Sequence, residues 1–159
     1  YLQTRMPSFN LSDGEIQKLV RFFSALSGED LPFSAPRLDP LSSRELTMAR
    51  DLFTHQAAPC MQCHATGDLV TDRDPTAPNF LFVPERLKSD WTRRWIVHPE
   101  IIRPGTAMPS GLFRQEGGRW VFALADVPSL RNYPGDHAEL LVRYMFQYTA
   151  QEQRRLGGR

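Results

Sequence analysis

The pentapeptide Cys60-Met61-Gln62-Cys63-His64 constrains this chain more than any other feature, because it sets two thiols and an imidazole within five residues. Three chemistries use such a cluster. A thioredoxin-like Cys-x-x-Cys belongs near a βαβ pattern, and half of a zinc site needs two more ligands at short spacing. The surroundings read as helical, the other three histidines, His55, His98 and His137, are scattered singly, and there is no second cysteine pair. The remaining reading is attachment of one c-type haem, in which Cys60 and Cys63 reach the two vinyl groups of the porphyrin and His64 binds the iron.

Such an iron takes a sixth ligand or keeps an open site, and the five methionines compete for that role. Met61 lies inside the attachment loop, Met48 and Met145 fall within expected helices where apolar packing is the default, and Met6 belongs to another part of the chain. Met108 remains, on the Arg103-Pro104-Gly105-Thr106-Ala107-Met108 turn that can lift a side chain toward the far face of a ring. His98 is the alternative, although its place beside Pro99 reads as surface. Trp91 and Trp95 suit either a haem propionate or the core, and Arg103 either a propionate or solvent.

Periodicity places four helices and one hairpin around these residues. The first helix runs from Ser12 to about Leu26, opened by a Ser12/Glu15 capping box and striped by Ile16, Leu19, Val20, Phe23 and Leu26. A linker over 31–42, rich in proline, leads to a second capping box at Ser42/Glu45 and a helix bearing Leu46, Ala49, Leu52 and Phe53. A loop is expected over 65–84, a short helix over 87–97, a hairpin around Gly117-Gly118 within 112–122, and a final helix from Asp136 to about Gln153. Met6-Pro7-Ser8 before the first helix and Met108-Pro109-Ser110 before the last suggest an internal repeat, with an insertion of roughly twenty residues in the second copy.

Composition removes several classes of function. The 159 residues carry 19 Lys+Arg against 18 Asp+Glu, a formal charge of +1, so no nucleic-acid footprint is expected. No apolar run approaches the about 20 residues that span a bilayer. The chain begins at Tyr1 without a leader pattern, so any signal peptide is expected to have been removed or to lie outside this sequence.

Over residues 43–159 the motifs resemble those of class I cytochromes c: a helix ending in Leu52-Phe53, the Cys60–His64 motif, Ala77-Pro78-Asn79-Phe80, Pro104-Gly105-Thr106-x-Met108, and a last helix with an aromatic at Tyr144. The resemblance implies an all-α cytochrome c fold with a small β-hairpin insertion between the Met loop and the C-terminal helix. It also implies a Pro78 carbonyl that accepts from His64 Nδ1, and a crossing of the two helices that packs Phe53 on Tyr144. Residues 1–30 then look like the C-terminal helix of a preceding domain of the same kind. The expected function is one-electron transfer by a covalent haem c with His64 and Met108 on the iron, in a carrier that is not itself an enzyme. Redox proteins would be met by transient contact, in a periplasmic or otherwise extracytoplasmic bacterial compartment. The alternatives are a haem module of a peroxide- or oxide-reducing enzyme and a gas-binding sensor, both of which need an open or displaceable sixth site.

Overall fold

In the computed structural model the described residues are 8–28, 31, 38–58, 60–65 and 76–157. Met6, Pro7, most of the linker prolines, Pro59 and residues 66–75 lie outside them. The chain divides into two compact units, Tyr1–Pro36 and Arg37–Arg159.

The first unit is built on helix α1, Asp13–Ser27. Its start is the expected capping box, with the Ser12 hydroxyl and the Glu15 carboxylate each satisfying a backbone N–H, and Gly28 closes it in the left-handed region at φ 69°. The apolar stripe is present, yet α1 buries none of its residues, and Leu26 is 72% exposed. Amphipathic spacing shows that a helix has an apolar face; what covers that face depends on residues elsewhere.

The second unit packs around helix α2, Ser43–Phe53, whose Met48, Ala49, Leu52 and Phe53 are buried. A single turn, α3, holds Cys60–Cys63. A 3-10 turn, Phe80–Phe82, runs into α4, Val83–Arg86, so part of the expected loop is helical; Asn79 starts it by accepting the Leu81 N–H at 2.9 Å. The expected 87–97 helix is α5, Ser89–Val97, and Pro99 opens another turn, α6, Pro99–Ile102, because the first helical position needs no N–H. Strands β1, Phe113–Glu116, and β2, Arg119–Phe122, pair antiparallel with Glu116 opposite Arg119. Gly117 and Gly118, at φ 55° and 79°, supply the two left-handed positions that a two-residue hairpin turn requires.

The final helix is broken in two, α7, His137–Phe146, and α8, Ala150–Gly157. At the break Gln147 turns aside to accept the Leu41 N–H and donate to the Asp39 carbonyl, while Thr149 caps the Glu152 N–H. The bend returns Glu152 to α2, where the Arg50 guanidinium forks onto it and the Tyr144 hydroxyl donates to it at 2.7 Å.

The expectation of an all-α cytochrome c fold is corrected by these elements. The described residues form a mixed structure of eight α-helices and a two-stranded antiparallel sheet. The sheet is more than a surface insertion: Phe113 and Phe122 face inward and belong to the same core as α2 and α7. Each strand buries one side chain, Phe113 and Phe122, which stand opposite each other in the ladder, and a helix-based reading of the chain does not supply those positions.

Phe53 occupies the centre of that core, edge-on to Phe80 at 4.7 Å and to Tyr144 at 5.2 Å, with Tyr148 at 5.7 Å. Above it, Arg143 of α7 donates to Glu45 of α2 at 2.8 Å. Hydrogen bonds from Ser42, then from Arg143, hold the Glu45 carboxyl at about 2 against an ordinary 4.5. A depressed folded-state value stabilises above the unfolded value and is lost as pH falls through the folded one. Acid unfolding of the wild type therefore steepens between pH 4.5 and pH 2. Thermal midpoints followed by circular dichroism across that range should show a flatter acid limb for Glu45→Gln, which is already less stable at neutral pH.

Candidate functional site

The site begins with α3, where the His64 N–H donates to the Cys60 carbonyl at 3.0 Å and closes one turn. That turn sets the two thiols on consecutive corners and the imidazole directly after them. The following strand-like segment is stapled back to it: the Thr76 and Ala77 N–H groups donate to the Cys63 carbonyl at 3.1 and 2.9 Å, and the Ala65 N–H donates to Ala77. Stapling brings Pro78 beside the ring, and His64 Nδ1 donates to the Pro78 carbonyl at 2.7 Å. Phe80 stacks on the other side of the imidazole at 4.1 Å.

These contacts define the chemistry of the imidazole. A carbonyl can only accept, so the proton resides on Nδ1 and the Nε2 lone pair is available to a metal. Burial pushes the His64 value down while the Pro78 bond opposes it, which keeps the ring neutral as a ligand must be. Cys60 and Cys63 are free thiols. Burial raises Cys60 to about 11, the reverse of the lowered value that arms a Cys-x-x-Cys nucleophile.

His64 opens onto a cavity of about 650 Å³. Cys60, Cys63, Pro78, Trp95, Arg103 and Met108 line the same cavity, so the seven residues singled out from the sequence share one site. Trp91 stacks on Trp95 at 5.3 Å along the α5 wall. Met108 is carried by a turn in which the Thr106 N–H returns to the Arg103 carbonyl at 3.2 Å, with Pro104 and Gly105 at its corners and Gly105 at φ 77°. The Met108 N–H is held by the Thr106 hydroxyl at 3.2 Å. His98 is outside the cavity, exposed and edge-on to Trp120 at 5.0 Å.

Arg86, Thr92, Ile96 and Phe113 are among the wall residues that escaped the sequence reading, and Met145, read there as helix packing, also lines the wall. Leu141 and Met145 are four apart on α7, a spacing that signals a shared face without saying what it faces. Arg86, whose guanidinium lies 4.2 Å over the Phe82 ring, gives no sequence signal.

A haem fits this donor set. The volume falls within the about 300–1,000 Å³ of cofactor pockets, and the wall is apolar. Two guanidiniums, Arg86 and Arg103, line it with no carboxylate among the described residues, which suits an apolar macrocycle ending in carboxylates. Among the described residues no group of three His, Cys, Asp or Glu side chains is arranged to hold a metal ion by itself. No known protein family, curated protein or solved structure matches this chain.

Gly105 is the point where the Met108 turn is open to test. A Cβ there meets no atom within 4 Å, so Gly105→Ala adds backbone strain alone. The expected cost is about 1–2 kcal/mol, read as a lowered midpoint in urea unfolding with an unchanged slope.

Proposed function

We propose that this chain carries one covalently attached c-type haem and transfers single electrons, without acting as an enzyme itself. Cys60 and Cys63 would hold the ring, and His64 and Met108 would supply the ligands to its iron. When bound, haem supplies the ferric–ferrous couple. The observation that carries the reading is the His64 Nδ1 bond to Pro78, made in a cavity that also holds both thiols and Met108.

The residues divide the work. Pro78 and Phe80 fix the imidazole plane and tautomer, so the ligand need not reorient between oxidation states. Met108 would offer a thioether, a ligand that favours the reduced form of an iron, and the Thr106 hydroxyl holds the Met108 backbone in its turn. Ile96, Leu112 and Leu141 would keep water from a bound ring, and Arg86 and Arg103 would pair with its carboxylates. No helix among the described residues is long and apolar enough to cross a membrane. The proposed partners are redox proteins met by transient contact, and the proposed compartment is extracytoplasmic, as in a bacterial periplasm.

The test is the visible spectrum of the purified, haem-loaded protein in both oxidation states, with denaturing electrophoresis to follow covalent attachment. The wild type should keep its haem through denaturation and show the weak far-red band of methionine on ferric iron. Cys60→Ala with Cys63→Ala should lose attachment, and Met108→Ala should lose the band and gain carbon monoxide binding when reduced. A wild type that lacks the band and binds carbon monoxide would transfer the assignment to an open-site enzyme or sensor.

A further inference from the structure

A second cavity of about 450 Å³ lies between the hairpin, the 123–131 loop and the first turn of α7, and it shares no lining residue with the first. Its charges are unevenly matched. Arg114 is paired with Glu116, and Arg131 forks onto Asp126, so two of its three guanidiniums already hold a carboxylate. Arg119, the third, instead donates through Nη1 to the Tyr133 and Gly135 carbonyls at 3.2 and 3.4 Å. Those two bonds fix the plane of the guanidinium, and its Nε and Nη2 donors have no acceptor among the described residues.

His137, at the start of α7, is the second donor. Its Nδ1 accepts the Phe122 N–H at 3.2 Å, so the ring proton is on Nε2. Burial first and the Arg119 charge second hold this imidazole below its ordinary value, against the opposing pull of Asp136 and Glu116, so the ring is neutral at neutral pH. A fixed guanidinium edge and an imidazole N–H in one cavity form a donor set with the size and sign of a single carboxylate. The rest of the wall is mixed: four charged side chains, Arg114, Glu116, Asp126 and Arg131, stand beside an apolar strip that includes Leu124, Val127 and Leu130. Glu116 and Asp126 at the rim work against a ligand of higher negative charge.

We propose that this cavity binds a short aliphatic monocarboxylate, its oxygens held by Arg119 and the His137 Nε2–H and its hydrocarbon tail laid on Val127 and Leu130. The proposal is independent of what the larger cavity holds.

The test is calorimetric titration of the whole chain with butyrate, butyramide and inorganic phosphate. Butyrate should bind saturably at one site, and butyramide and phosphate should bind at least tenfold more weakly. Arg119→Gln should weaken butyrate at least tenfold. Because Arg119 also closes two carbonyls, Leu124→Asp serves as a second variant: Leu124 lines the cavity, is 51% exposed, and as aspartate repels the ligand without touching the Arg119 bonds. Equal binding of butyrate and butyramide, tighter binding of phosphate, or unchanged butyrate affinity in Leu124→Asp would each overturn the assignment.

Discussion

Phe53 closes α2 against three other rings, and the second unit is organised by that contact. Its side chain has no exposed surface, and complete burial of a ring of this size contributes about 1.5–3 kcal/mol before any ring–ring geometry is counted. The consequences reach beyond the hydrophobic area. Phe80 meets Phe53 on one face and His64 on another, so the aromatic that centres the core also braces the imidazole. Tyr144 and Tyr148 bring α7 to the same place, and the bend after α7 lets Glu152 meet Arg50 behind them. Tyr144 adds a hydrogen bond to this half-buried ion pair, on the Glu152 oxygen that Arg50 Nε also reaches, and so satisfies its own buried hydroxyl.

A second junction ties the remaining walls of the large cavity. Asp136 accepts from Arg93 of α5 at 2.7 Å, from the Trp120 N–H of β2 at 3.0 Å and from the Glu139 N–H of α7 at 2.8 Å. One carboxylate therefore fixes the helix that carries Trp91 and Trp95, the hairpin that carries Phe113, and the helix that carries Leu141 and Met145. Its own bonds outweigh the cost of its burial and hold it in the charged form.

Local chemistry was readable in advance wherever it depended on neighbours in sequence. The capping boxes at Ser12/Glu15 and Ser42/Glu45 and the hairpin at Gly117-Gly118 formed where their residue types called for them, because each is satisfied within three or four positions. The continuous final helix did not form. Its apolar period continues through Tyr148, but Gln147 finds partners at Asp39 and Leu41, about a hundred positions away, and no periodicity reports such bonds. The all-α architecture failed for a similar reason, since the value of Phe113 and Phe122 to the core appears only when the strands are laid against α7.

The sequence by itself determined which atoms could do chemistry: two thiols and an imidazole on one turn, a thioether on a Pro-Gly turn, and the spacing that keeps them in order. Tertiary structure alone decided that they share a cavity and that Met145 and Arg86 join its wall. It also decided that the apolar stripe of α7 is buried. The physical reason is common to all of these. Reactivity is a property of functional groups and is written in residue types, whereas convergence and burial are properties of long-range contacts whose energies depend on partners distant in the chain.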